Sequence, residues 1–482
     1  MPLSLQNTLS RSMETFSSLE AGHVRVYTCG PTVYNRVHIG NLRTFVFEDV
    51  LCRVFRWLGY RTTQVMNLTD IDDKTIRGAV AEGLSLRDFT AKHIATFFED
   101  LATLGIAPAA VYPRATDHIE EMVAIVRKLE ERGHAYESDG SVWFRIASFP
   151  GYGRLSRVDP TEMKRGARVA DDEYEKEDVR DFALWKGVKE GEPESATWTT
   201  SLGRGRPGWH LECSAMSMKY LGETLDIHTG AVDNIFPHHE NEIAQSEGAT
   251  GKTFVNFWLH AEHLLVDGEK MSKSKGNFYT LPDLLEKGFS PRAIRYLLIS
   301  VPYRMKLNFT FDGLKAATSA VERLESLDLR LRENISLKVN TPEAAGGGFA
   351  ERVSAARRAT FDALEDDLNT AGALGVLFSF VKATNVDLEA GHLSASDATA
   401  ARGLLREIAG DIFGIIQGTA AAEAVDLSPD VDETWIDARI VARKAAKKAR
   451  DFGAADAIRD ELLGKGIVLE DTPQGVRWKR KP

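Results

Sequence analysis

The chain has 482 residues, enough for three or four domains at roughly 100–200 residues each. Its 43 % hydrophobic and 27 % charged residues are those of an ordinary globular protein, and no stretch approaches the roughly 20 apolar residues that span a bilayer, so no membrane partner is expected. The formal charge of −10 argues against a chain that coats nucleic acid throughout; yet from Asp437 onward basic side chains outnumber acidic ones by five, which leaves nucleic acid open at that end.

There are three cysteines, Cys29, Cys52 and Cys213, an odd and low count that argues against a disulfide framework and for a reducing cytoplasm. The N-terminal segment lacks an apolar run, so no secretory signal is expected.

Residues 23–30 are β-rich and read as a strand, closed by the turn signal Gly30-Pro31-Thr32. From about Asn41 the apolar spacing becomes helical through Leu42, Phe45, Val46, Val50, Leu51, Val54, Phe55 and Leu58, and Gly59 suits the end of that helix. Thr62 to Leu68 reads as a second strand. Strand, helix and strand make a crossover, the unit of a parallel α/β sheet. Residues 85–135 are mainly helical by pattern. Residues 136–205 carry charges, glycines and two tryptophan-bearing strands around Trp143 and Trp185, and read as an inserted subdomain. Leu225 to Gly230 reads as a strand, Pro237 to Glu247 as a helix, and Phe257–His260 with Leu264–Val266 as a strand and hairpin. Residues 315–335 and 350–415 are long helical patterns, with a joint at Gly346-Gly347-Gly348. Residues 418–432 read as a linker, and 435–482 as two helices and a small hairpin ending near Trp478.

Two segments suit a nucleotide. His38-Ile39-Gly40-Asn41 opens the first helix, where unpaired N–H groups and about half a positive charge favour phosphate; Gly40 permits close backbone approach, and His38 and Asn41 add donors. An ordinary capped turn is the competing reading of four residues alone. Lys270-Met271-Ser272-Lys273-Ser274-Lys275 is a cationic loop between glycines, suited to charge that builds on departing pyrophosphate, and it is not a P-loop. A third set is soft: Cys29 ends the first strand, Cys213 lies in a Trp-His-Leu-Glu-Cys segment, and His238 and Glu242 stand four apart on one helix face. Two thiolates, an imidazole and a carboxylate suit tetrahedral Zn²⁺, although each alone has a plainer reading as a buried thiol or a capping pair. Cys52 has only that plainer reading, among apolar stripe neighbours.

The two phosphate segments, in this order on one chain, resemble those of the class I aminoacyl-tRNA synthetases. Cys-Gly-Pro-Thr-Val-Tyr (29–34), Asn-Leu-Thr-Asp-Ile-Asp-Asp-Lys (67–74), Pro-Gly-Trp-His-Leu-Glu-Cys-Ser-Ala-Met (207–216) and Phe-Pro-His-His-Glu-Asn-Glu (236–242) narrow the resemblance to the cysteinyl-tRNA synthetases, from about Val24 to the C-terminus. The resemblance implies a Rossmann-like, doubly wound parallel-sheet catalytic core over 1–315, with an inserted subdomain at about 95–205 and the lysine-rich loop region at about 265–315. It further implies a helical tRNA-binding bundle over 316–425 and a small α/β anticodon-binding domain over 435–482. It makes Cys29, Cys213, His238 and Glu242 zinc ligands, and assigns ATP to Gly30, Thr32, His38, Gly40, Asn41, Gly230, Asp233, Lys270 and Lys273. His38, Asn41, Lys270 and Lys273 would act in catalysis. Thr69 and Trp209 would line the cysteine pocket, and Trp478 would meet the anticodon.

Two departures, Lys275 where an apolar residue is frequent and Thr-Gly-Ala-Val-Asp-Asn at 229–234, remove no role-bearing residue. The implied reaction joins L-cysteine to ATP as cysteinyl-adenylate and passes the acyl group to the 2′-hydroxyl of the terminal adenosine of tRNA(Cys), with Mg²⁺ accompanying ATP and one Zn²⁺ selecting thiol over hydroxyl. A cytoplasmic monomer is implied. Two rivals are a ligase joining cysteine to an amino-sugar, expected without the basic terminal domain, and a catalytically dead zinc module that binds RNA, expected with degenerate signatures.

Overall fold

The computed structural model describes residues 2–159, 181–189, 192–272, 275–338, 348–419, 433–449, 451–464, 467–472 and 475–480. Lys273, Ser274, Gly346, Gly347 and most of the linker segment fall outside them. The chain divides into two compact units, residues 1–417 and 418–482.

In chain order, the first unit begins with a hairpin, β1 (Ser4–Asn7) and β2 (Ser12–Thr15), then β3 (His23–Thr28), α1 (Ile39–Trp57) and β4 (Arg61–Met66). Next come α2 (Asp73–Glu82), α3 (Leu86–Thr103), α4 (Ile119–Glu131) and five short strands: β5 (Ala135–Ser138), β6 (Ser141–Phe144), β7 (Phe182–Gly187), β8 (Trp198–Thr200) and β9 (Gly203–Pro207). They are followed by α5 (Trp209–Leu221), β10 (Leu225–Ala231), α6 (Glu240–Thr250) and β11 (Val255–Ala261). Then come β12 (Leu264–Val266), β13 (Glu269–Lys270), α7 (Leu281–Glu286), α8 (Pro291–Ile299) and β14 (Leu307–Phe309). Four bundle helices complete the unit: α9 (Phe311–Lys338), α10 (Phe349–Glu365), α11 (Thr370–Glu389) and α12 (Ala395–Leu405).

The central sheet has the order β11-β10-β3-β4, and every pair in it is parallel. Its two faces read off the alternation of β3. Val24 and Val26 join the core that holds Leu42, Phe45, Val46 and Val50 of α1. Tyr27 and Val65 join the opposite core, with Leu211 and Met216 of α5 and Ile243 of α6. Helices on both faces of a parallel sheet are what the doubly wound reading requires. Burying each large aliphatic side chain of α1 contributes about 1.5–3 kcal/mol, so the crossover is held chiefly by this stripe. The helix stops at Leu58, and Gly59 follows at φ +87°, a left-handed turn that glycine adopts without strain.

The tryptophan-bearing strands β6 and β7 pair within a five-stranded antiparallel sheet, β5-β6-β7-β9-β8, with Trp143 and Trp185 fully buried. Two local expectations fail. β11 and β12 do not form a hairpin: β11 is an edge of the central sheet, whereas β12 pairs with β13 and, in parallel, with β14. Apolar runs alone do not tell which neighbour a strand joins. The helix expected from Pro237 begins at Glu240; residues 235–239 form a wider turn in which Phe236 is extended.

A third correction concerns apolar length. α11 is long and apolar enough by length and composition to cross a bilayer, contrary to the expectation from the sequence. Its buried residues Thr370, Ala373, Leu374, Leu377, Phe380, Val381 and Thr384 recur at three and four, the stripe of a bundle helix, and it packs on α9 and α10.

In the second unit α13 (Glu433–Lys448) packs on α14 (Phe452–Gly464), and β15 (Ile467–Thr472) pairs antiparallel with β16 (Gly475–Arg480). Ile436, Leu462 and Ile467 form its small core. Trp478 stands opposite Leu469 in the hairpin; its side chain lies outside the described residues.

Candidate active site and metal centre

The site lies at the carboxyl ends of the parallel strands, where open α/β sheets hold their ligands. β3 delivers Cys29 and Gly30, β4 leads to Asn67 and Thr69, and β10 ends on Gly230 and Ala231. The first two ends are laced together: Gly30 N–H donates to Asn67 Oδ1 (2.8 Å), Asn67 Nδ2 donates to Thr69 Oγ1 (3.0 Å), Val33 N–H donates to Thr69 O (3.0 Å) and Thr69 N–H to Pro31 O (3.1 Å). A Cβ on Gly30 would stand 1.7 Å from the carbonyl oxygen of Asn67, so no other residue fits there. Thr32 bridges to Thr69 in parallel.

His38 caps α1. Asn41 N–H donates to His38 Nδ1 (3.1 Å), and His38 N–H donates to Asn41 Oδ1 (3.2 Å). Because Nδ1 accepts from a backbone N–H, the proton of the neutral ring sits on Nε2. The two polar residues of the first signature thus do what the plainer reading proposed, a capping box, and in doing so fix the imidazole as a donor at the helix N-terminus.

The second signature is folded against the first. β13 brings Lys270 back beside Leu265, and Asn277 ties the loop ends by accepting from Ser272 N–H (2.8 Å) and donating to Lys270 O (3.3 Å). A Cβ on Gly40 would lie 3.1 Å from Met271 Cε, so the two signatures meet across that glycine. Ile39 N–H donates to Tyr279 O (3.0 Å), and the His38 ring stands edge-on to Phe278 at 5.2 Å. Lys270 is exposed. Lys275 pairs with Glu269 (2.8 Å) at the surface, an exposed contact that contributes little.

The soft ligands converge. The ligating atoms of Cys29, Cys213, His238 and Glu242 all lie within 4.8 Å of one another. His238 Nε2 is 3.0 Å from Glu242 Oε1, and that oxygen, fully buried, has no hydrogen-bond partner. Burial pushes the His238 imidazole down to about 3, so it is neutral and offers a lone pair. The hydrogen bond that Cys29 donates to Cys213, together with burial, holds the Cys29 thiol well above its ordinary range in the absence of a cation. A buried carboxylate oxygen without a donor, a neutral imidazole and two thiols fit a divalent soft metal. Trp209, 38 % exposed, stacks on the buried His238 at 4.3 Å and so stands between the centre and solvent. Thr69 is buried just after β4, and Asp233 lies exposed on the short turn after β10. A Cβ on Gly230 would meet the His239 ring at 2.7 Å.

Sequence reasoning missed a second ring of side chains. His228, His239 and His260 surround the centre, with His260 held through Nδ1 at 2.8 Å from Thr8 Oγ1 of the N-terminal hairpin. The signal was present for two of them: His228 and His260 stand in the buried runs of β10 and β11, where a histidine is uncommon. Glu48 was also missed. It lies fully buried on α1, where Thr229 Oγ1 donates to its Oε1 (2.6 Å) while Oε2 has no partner. Burial pushes its carboxyl up from 4.5 to about 8. The folded protein therefore keeps a proton over that interval which the unfolded chain releases, and this contribution to stability is lost as pH rises through it. Glu48→Gln is expected to unfold later than wild type at pH about 9 and to differ little at pH about 4, by thermal unfolding; a pH-independent difference counts against this assignment.

Comparison with known proteins narrows the reading. Residues 15–319 match the model for the tRNA synthetases class I (C) catalytic domain, and residues 361–417 match the DALR domain. A "Cysteine--tRNA ligase" of Solibacter usitatus is 52 % identical over 482 residues, covering 100 % of both chains. One of Brachyspira hyodysenteriae is 49 % identical, covering 98 % of both. In fold, the chain resembles a methionyl-tRNA synthetase of Mycobacterium tuberculosis in complex with methionyl-adenylate (TM-score 0.55, 15 % identity, 82 % and 90 % of the two chains covered). It also resembles a LeuRS–tRNA–LeuAMS ternary complex of Agrobacterium radiobacter K84 (TM-score 0.60, 12 % identity, 83 % and 85 % covered). Full-length identity of this order, with both signatures intact, favours the tRNA ligases over the amino-sugar rival, and the chain belongs to the cysteine–tRNA ligases, a family of class I aminoacyl-tRNA synthetases.

Proposed function

We propose that the chain activates L-cysteine with ATP to cysteinyl-adenylate and passes the cysteinyl group to the terminal adenosine of tRNA(Cys). The observation that carries this reading is the meeting of both phosphate signatures, across Gly40 and Met271, at the same strand ends that gather Cys29, Cys213, His238 and Glu242. No protein nucleophile is required: the substrate carboxylate attacks the α-phosphorus of ATP and expels pyrophosphate, and the RNA hydroxyl then attacks the acyl carbon and releases AMP. The chain's contribution is positioning and charge stabilisation. His38 Nε2 and the first N–H groups of α1 donate to phosphate oxygens, and Lys270 and Lys273 neutralise the departing pyrophosphate, with Mg²⁺ as the counter-ion of ATP. Gly30, Thr32, Gly40 and Asn41 bring the backbone close to the nucleotide; Gly230 and Asp233 face its ribose and adenine.

Cys29, Cys213, His238 and Glu242 would hold one Zn²⁺, which when bound offers the substrate thiolate a bond that a serine hydroxyl does not match. Trp209 and Thr69 orient the rest of the amino acid. Packing alone would separate cysteine from serine by only about 1–3 kcal/mol. In this reading residues 1–315 are catalytic, 316–425 bind tRNA and 435–482 read the anticodon through Trp478. The enzyme works as a cytoplasmic monomer.

Two measurements test it. Lys273→Ala and Lys270→Ala are each expected to slow cysteine-dependent ATP–pyrophosphate exchange by about 10²–10³ while leaving the zinc content unchanged; equal exchange rates would remove the leaving-group role. Deleting residues 435–482 is expected to spare that exchange and weaken tRNA charging. Full-rate charging by the truncated chain would count against the anticodon role.

A further inference from the structure

The metal centre has more donors than one ion can use. A second set of ligating atoms, from Cys29, His228, His239 and Glu242, also lies mutually within 4.8 Å. It shares Cys29 and Glu242 with the set described above and replaces Cys213 and His238 by two other imidazoles. The orientation of these rings is that of ligands. His228 Nδ1 is 3.1 Å from the carbonyl oxygen of Thr229, which can only accept, so the tautomer protonated at Nδ1 is satisfied there and leaves Nε2 able to ligate. Nε2 faces Glu242 Oε2 at 2.9 Å, with both side chains fully buried. A proton or a metal ion can lie between an imidazole nitrogen and a carboxylate so placed. His239 is turned the same way: its Nδ1 is 2.7 Å from His260 Nε2, and its Nε2 faces Cys29 Sγ at 3.2 Å. Imidazoles whose far nitrogen is tied to a carbonyl or another fixed group are the usual form of metal-bound histidine.

Glu242 serves both sets with different oxygens. Oε1 faces His238 and Oε2 faces His228. The two sets also differ in their walls. The first lies under Trp209, which is 38 % exposed, whereas His228 stacks at 4.6 Å on Trp258, which is 1 % exposed. The second set carries two anionic ligands, so a divalent ion there leaves a neutral buried complex; the first carries three and leaves a net negative one. Low-dielectric surroundings favour the neutral complex.

We propose that Cys29, His228, His239 and Glu242 form a second, inner Zn²⁺ position that overlaps the substrate-facing one, so that a single ion occupies one or the other. The inner position lies against the buried Trp258, whereas the outer position lies beside the exposed Trp209 and is the one that meets substrate. This rests on the reading of the outer cluster as the zinc centre.

The test uses the full chain. Cys213→Ser/His238→Ala removes two of the four outer ligands and leaves the inner set intact. It is expected to retain about one zinc per chain by elemental analysis, with one sulfur in the first shell by X-ray absorption; adding His228→Ala and His239→Ala is expected to remove it. Loss of zinc from the double variant, with wild type still loaded, overturns the inner position alone. Absence of zinc from wild type overturns the zinc reading itself. A second comparison covers the case of a misfolded double variant. In Co²⁺-loaded protein without substrate, His228→Ala/His239→Ala confines the ion to the two-thiolate set, so its thiolate-to-metal absorption is expected to exceed that of wild type. Equal intensities overturn the proposal.

Discussion

Glu242→Gln is expected to empty the metal centre, because Glu242 is the one carboxylate common to both ligand sets. Glutamine keeps the volume and removes the charge. The remaining outer donors, two thiols and the His238 imidazole, then lack the third anionic ligand, and Glu242 Oε1, which has no hydrogen-bond partner, loses its purpose. Changing a group that merely supports a ligand costs roughly 10–100-fold in metal affinity. Removing a ligand is expected to cost at least on the order of a hundredfold, and cysteine-dependent exchange should fall with it. The contrast with Cys213→Ser is informative. That variant spoils only the outer set and is expected to keep an ion at the inner one, yet to lose its preference for cysteine over serine. Zinc analysis of the two variants side by side checks both statements; full zinc in Glu242→Gln would sink the ligand assignment.

Gly30→Ala is the second change with a large expected effect. The added Cβ would overlap the Asn67 carbonyl oxygen at 1.7 Å, and that atom belongs to the backbone, which cannot swing aside as a side chain can. Relief requires β3 and β4 to part at the ends that carry Cys29 and Thr69. It would also stretch the bond from Gly30 N–H to Asn67 Oδ1 and, through Asn67, the contact with Thr69 Oγ1. Overpacking of this kind costs typically about 1–3 kcal/mol and more where backbone must move. A lower unfolding temperature together with loss of cysteine-dependent exchange is expected. A variant with wild-type stability and exchange would show that the strand ends are looser than the structure describes. Gly59→Ala offers a control: its φ of +87° makes alanine costly, but no atom lies within 4 Å of the added Cβ, so activity should survive a modest loss of stability.

Much of the local structure was legible because it is written in nearby residues. The apolar stripe from Leu42 to Phe55 and the glycine after Leu58 define α1, and the alternation around residues 23–28 defines β3. His38 and Asn41 sit three apart, and a capping box needs no more than that spacing. The hairpin of β15 and β16 follows from two β-rich runs on either side of a short turn. Where the reading failed, the deciding contact was distant. β12 prefers β14, more than forty residues on, to its neighbour β11. The helix expected at Pro237 starts late because residues 235–239 are bent to present His238 and His239 to the centre.

The same division runs through the site. The sequence alone determines which groups are available: two thiols, a histidine and a carboxylate four apart, a helix that opens on His38, and a lysine-rich loop. Those are matters of composition and short spacing. Only the tertiary structure decides that Met271 meets Gly40, that Thr8 of the N-terminal hairpin holds His260, and that His228 and His239 turn their Nε2 atoms toward Glu242 and Cys29 respectively. The physical reason is that parallel strands bring residues separated by tens to hundreds of positions to one edge of the sheet. Direction at that edge is set by ring stacking and second hydrogen bonds, such as Trp258 against His228 and the Thr229 carbonyl at its Nδ1, which no local pattern records.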